Sequence, residues 1–176
     1  MERLADIIVI ATLGMLSWQD FRSRQIAWWL LPLLAAGLFL AAFDKNSTRD
    51  IGIGFSLNIT FLCIQFLFVW IWFSLRQKKP SKLIDTQIGL GDVLFMVCIA
   101  LAFSPANFIL FYTTGMIVTL VVTIAVKLAR ANTRSEIPLA GALSIPLIVL
   151  CAWRIFDPSA NFYSDEWLNR VLLNNL

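Results

Sequence analysis

Residues 51–75 read IGIGFSLNITFLCIQFLFVWIWFSL and contain no charged side chain. Coiled as an α-helix, such a run is about 38 Å long, and the hydrocarbon core of a bilayer is about 30 Å thick. It ends abruptly on Arg76, Lys78, Lys79 and Lys82. The same pattern extends on both sides. Upstream, one apolar run covers Leu4 to Trp18 and stops at Asp20, Arg22 and Arg24; a second covers Ile26 to Phe43 and stops at the polar stretch Asp44 to Asp50. Downstream, Val93 to Val126 carries no charge and is too long for one crossing. The tetrad Ser104-Pro105-Ala106-Asn107 is predicted to divide it by a tight turn. A last run covers Ile137 to Trp153. The expected fold is therefore all-α: a polytopic membrane protein with six transmembrane helices in residues 1–156. The first and sixth spans read as the shortest. In the tail, 157–176, Phe162, Trp167, Leu168 and Leu172 alternate with polar residues, as in an amphipathic segment lying at the interface.

Composition agrees. Of the 176 residues, 59% are hydrophobic and 14% charged, and the mean hydropathy is +0.78. A soluble domain runs near half apolar and a quarter charged, so an ordinary soluble enzyme, a disordered tail and a disulfide-stapled secreted module are all excluded. The net charge of +3 is no nucleic-acid signal, because the basic residues sit in short clusters between apolar runs. A signal peptide is the competing reading of the first run and is not expected, since the basic cluster Arg22 and Arg24 follows the apolar stretch and no small-residue cleavage site stands there. There is no histidine, and Cys63, Cys98 and Cys151 each lie alone inside an apolar run. Histidine chemistry is thus excluded, no zinc spacing exists, and neither a metal nor a cofactor is expected. The cysteines read as small buried hydrophobes.

Orientation follows from the basic residues. Nine of the 14 Lys and Arg fall in the loops after spans one, three and five, and five fall on the other side. The richer side faces the cytoplasm, which leaves both termini outside. Trp18, Trp28, Trp29, Trp70 and Trp72 gather at that same boundary, where indole rings prefer to lie.

Most acidic residues fall in external loops or tails under this topology: Glu2, Asp6, Asp44, Asp50, Asp157, Asp165 and Glu166 read as solvated charges. Asp20 and Asp92 do not. Asp20 closes the first span, and Asp92 opens the fourth inside Gly89-Leu90-Gly91-Asp92. Both belong to the cytoplasmic face at similar depth, and an ionisable group there is a functional candidate. A purely structural reading stands beside this: Asp20 pairs with Arg22 or Arg24, and Asp92 caps a helix. Asp85, beside Lys82, reads as loop charge. In the functional reading, two carboxyls share one site and cannot both ionise easily. One acts as base on a water that attacks a peptide carbonyl, and the other donates a proton to the carbonyl oxygen. The glycines would admit a substrate backbone.

Asp20 with its following basic residues and Ile26, together with the Gly89-Leu90-Gly91-Asp92 element, resembles the two motifs of the bacterial type IV prepilin peptidases. The second is the GxGD motif, shared with archaeal preflagellin peptidases and presenilins. Ile137-Pro138-Leu139-Ala140-Gly141 is similar to a proline-containing segment of that family. The resemblance spans about Leu4 to Leu150. It implies catalytic aspartates at Asp20 and Asp92, with Gly89, Gly91, Arg22, Arg24, Pro138 and Gly141 as motif and substrate-binding positions. The implied activity is removal of a short basic leader from prepilin-like precursors, just before their hydrophobic helix, at the cytoplasmic face of a bacterial inner membrane. The chain departs from the family at Ile26-Ala27-Trp28, where Ile-Pro-Asn is common, and at Leu94, where lysine is common. It also has no room in the first loop for the paired CxxC insertion of the longer members, so peptidase activity without N-methylation and without zinc is expected. Two other classes remain: a small proton- or cation-coupled transporter, and a non-catalytic subunit of a pilus-like machine.

Overall fold

In hydrocarbon a chain must satisfy its own backbone polar groups, and a helix does so within one segment. The computed structural model describes residues 2–77, 89–129, 139–157 and 161–165. They form α1 (Glu2–Ser23), α2 (Leu30–Phe43), α3 (Thr48–Gln77), α4 (Leu90–Ile99), α5 (Pro105–Ala129) and α6 (Leu139–Phe156), with no strand among the described residues. The protein is an all-α polytopic membrane protein. Four helices, α1, α3, α5 and α6, are long and apolar enough to cross a membrane.

The helices alternate in direction. The C-terminal end of α1, the loop before α2 and the N-terminal ends of α4 and α6 meet at one end of the bundle, hereafter the site end. At the far end lie the start of α1, the α2–α3 and α4–α5 junctions and the end of α6. The most extensive packing is between α1 and α6, followed by α1 with α2. Their shared core includes Val9, Leu13, Leu16, Leu34, Leu143 and Leu147, with Phe95 and Ile99 from α4. Helices α3 and α5 flank it and expose apolar side chains such as Leu67, Phe68, Val121 and Val122. Such a surface suits lipid, not water.

Four expectations need correction. The short helices are α2 and α4, not the first and sixth: α2 has 14 residues and α4 has 10, or about 21 and 15 Å. The division between α4 and α5 also begins earlier than the tetrad and takes in only its first residue. Residues 100–104 form the break, and Pro105 already begins α5. The reason is local: proline fits the first helical position, where its missing N–H has no partner to lose, and the Ser104 hydroxyl accepts the Asn107 amide as an N-cap (3.4 Å). Asp6 is not a solvated loop charge. It lies inside α1, is 2% exposed, and pairs with Arg154 of α6. Of the cysteines, Cys98 and Cys151 are buried as expected, whereas Cys63 is exposed on α3.

The break at residues 100–104 is held from two sides. The Asn58 side-chain amide, buried on α3, donates to the carbonyls of Ala100 (2.9 Å) and Phe103 (3.0 Å). On the other side the segment 161–165 crosses the far end: Ser104 N–H and the Asn107 side chain donate to the Phe162 carbonyl, and the Tyr163 hydroxyl donates to Leu101 O at 2.6 Å. Burial pushes the Tyr163 phenol up to about 12, so it remains a donor throughout the physiological range. The remainder of the tail lies outside the described residues.

Candidate functional site

Asp20 stands in the last turn of α1, after an unbroken helix, and is 5% exposed. Its Oδ2 accepts the backbone N–H of Gly141, at 2.6 Å. Asp92 occupies the first turn of α4, whose N-cap is Gly89 in extended conformation. Asp92 does not cap its own helix with its side chain. Its Oδ1 instead accepts the N–H of Ala140, at 3.0 Å. Both amides belong to the first turn of α6, whose first four N–H groups have no partner within the helix. Two aspartates from distant parts of the sequence thus hold consecutive amides. Bond lengths along that path keep the bonded oxygens within about 10 Å of each other.

The positive end of the α6 dipole favours negative charge at this point. Arg24 adds a second attraction for Asp20. It takes a left-handed backbone conformation, φ 52°, and its N–H donates to the Asp20 carbonyl at 3.1 Å, closing α1. Arg22 turns elsewhere, its guanidinium 6.0 Å from the centroid of the Trp18 ring. The purely structural reading is therefore half right: Arg24 attracts Asp20, but both carboxylates also cap α6.

Gly141 owes its place to Asp20. A Cβ there would lie 3.0 Å from Asp20 Oδ2, 3.2 Å from Phe21 Cε2 and 3.3 Å from Asp20 Cβ. Its carbonyl accepts the Ser17 hydroxyl at 3.2 Å, so α1 grips both polar groups of this one peptide residue. Ser17 is a site neighbour the sequence reading missed. Its signal was its position three residues before Asp20, on the same face of α1.

Gly91 faces Ile26, whose Cδ1 would be 3.1 Å from a Cβ at that position. The space left by this glycine is filled by the loop after Asp20, which joins the two motifs directly. That loop is held by Gln19, whose side-chain carbonyl accepts the Ala27 N–H at 3.1 Å. Gly89 is exposed, with the Asp92 carboxyl 3.4 Å from where its Cβ would be. Leu94 is exposed on α4; a residue two places on in a helix points about 200° away, so it projects from the face opposite Asp92. Pro138 and Asp85 lie outside the described residues. No group of three or more potential metal ligands occurs among the described residues.

Comparison with protein-family models, with curated proteins and with solved structures finds no match for this chain.

Proposed function

We propose that the protein is a membrane aspartyl endopeptidase that removes the short basic leader of prepilin-like precursors at the cytoplasmic face of a bacterial inner membrane. The observation that carries this reading is the meeting of Asp20 and Asp92 on the consecutive amides of Ala140 and Gly141. Each carboxyl gives one oxygen to α6, which fixes its orientation and leaves the other oxygen for water and substrate. In the proposed reaction one carboxylate takes a proton from the attacking water while the other, protonated, donates to the scissile carbonyl. The acids then exchange roles as the leaving amine takes up a proton. General acid and base groups of this kind typically contribute about 10²–10⁴-fold each. The substrate's own apolar helix would pack against the bundle in lipid.

The far end of the bundle disfavours the transporter reading. Phe103 and Phe162 pack there at a tilt of 35° with centroids 5.4 Å apart, beside the Asp6–Arg154 pair. Between the two ends the core of α1, α4 and α6 is mostly apolar, and the buried hydroxyls of Thr12 and Ser144 donate to carbonyls of their own helices. One observation favours a non-catalytic subunit: both carboxylates already have a structural task as caps of α6.

The deciding experiment is cleavage of a prepilin-like substrate by wild type, Asp20→Asn and Asp92→Asn in membranes. Asparagine keeps an oxygen to accept the α6 amide, so both variants should fold. Loss of cleavage in both is expected; unchanged cleavage in either removes that residue from the mechanism.

A further inference from the structure

Helices α1 and α6 touch through mostly apolar side chains, and apolar contact is non-directional. It does not by itself fix how far one helix slides along the other. The polar contacts between them lie at the two extremes. At the site end, Asp20 and Ser17 grip Gly141. At the far end, both carboxylate oxygens of Asp6 accept from Arg154, Nε to Oδ2 at 3.1 Å and the second through Nη2. Asp6 and Asp20 are about four turns apart on α1, and Gly141 and Arg154 about four turns apart on α6. The two aspartates therefore share one face of α1, and their spacing matches that of their partners on the antiparallel helix.

Arg154 has a second hold. Its guanidinium sits 5.2 Å from the centroid of the Phe162 ring. That ring packs at a tilt against Phe103, and the Phe162 carbonyl accepts from Ser104 and Asn107 at the α4–α5 junction. One partly buried cation thus references α6 both to α1, which carries Asp20, and to the far end of α4, which carries Asp92. A buried ion pair is weak evidence for stability, and its best-attested use is to specify register.

We propose that Asp6 and Arg154 are positioning residues: their pair sets the axial register in which α1 and α4 deliver Asp20 and Asp92 to the first amides of α6. The inference concerns geometry and rests on the proposed peptidase only where activity is read.

The test is hydrogen exchange at the α6 N-terminus, measured on the full chain in lipid nanodiscs for wild type, Asp6→Asn, Arg154→Met and the swapped pair Asp6→Arg with Arg154→Asp. The single variants should speed exchange at Ala140 and Gly141 by about tenfold, with the centre of α3 unchanged, and the swap, which re-forms the pair without the Phe162 contact, should restore part of the protection. Where cleavage is measurable, the singles should also lose about 100-fold in kcat/KM. Wild-type exchange at Gly141 in both single variants would overturn the proposal. So would a uniform rise that includes α3, since the pair would then be a general stabiliser. If no substrate is cut even by wild type, the peptidase reading fails while the exchange result still decides the register.

Discussion

Asp20 binds the Gly141 amide at 2.6 Å, one peptide along from the Ala140 amide that binds Asp92. The α6 N-terminus is thus a shared ruler for two side chains that approach from different helices. Its value depends on Gly141 having no side chain.

Replacing Gly141 by alanine places a methyl 3.0 Å from the Asp20 carboxyl and 3.2 Å from Phe21. Overpacking of this kind costs about 1–3 kcal/mol, and here it acts on the carboxyl itself. Gly141→Ala should reduce kcat far more than it raises KM. Ala142→Gly, one residue on, changes helix propensity without touching Asp20 and should leave kcat nearly intact. Steady-state cleavage kinetics on the two variants separate the outcomes, and equal losses in both would count against a special role for Gly141.

Gly91 makes a gentler prediction. The atom a new Cβ would meet is Ile26 Cδ1, the far end of a flexible side chain. Gly91→Ala alone should cost modestly in thermal stability, and Gly91→Val more. Shortening the partner in Gly91→Ala with Ile26→Val should recover part of the loss. A double-mutant cycle should return a coupling of about 0.5–3 kcal/mol; strict additivity would show that the two motifs do not touch.

Much of this was open to reading from the chain. Charge-free runs such as 51–75 announce helices because hydrocarbon admits little else, and Asp20 and Asp92 stand out as charges at the ends of such runs. What holds those acids was not legible. The donors are backbone amides of Ala140 and Gly141, and an amide leaves no mark in a sequence. Asp6 was misread for a related reason: its partner, Arg154, is 148 residues away, and near the start of a chain a lone carboxylate looks solvated. The lengths of α2 and α4 were hidden because apolar residues continue beyond both helices. Only contacts such as Asn58 with Ala100 and Phe103 show where α4 stops.

Asn58 supports a stability prediction. Its amide satisfies two carbonyls at the end of α4 from a fully buried position. Asn58→Leu leaves both without that donor, at about 1–3 kcal/mol for each group left unsatisfied. The thermal midpoint should fall clearly, while Thr60→Val, whose hydroxyl bonds only within its own helix, should shift it little. Equal midpoints would show that the carbonyls find other partners.

The proposed topology assigns each end of the bundle to one side of the membrane, and surface cysteines can report it. Ser23, exposed at the C-terminal end of α1, belongs to the site end, and Ser47, exposed before α3, to the far end. A membrane-impermeant maleimide added to intact cells should modify Ser47→Cys and spare Ser23→Cys until the membrane is opened. The native thiols provide little background: Cys98 and Cys151 are buried, and Cys63 lies along the apolar α3. The reverse pattern would put Asp20 and Asp92 on the outer face, where a cytoplasmic prepilin leader never reaches, and would exclude the proposed substrate whatever the fate of the acid pair.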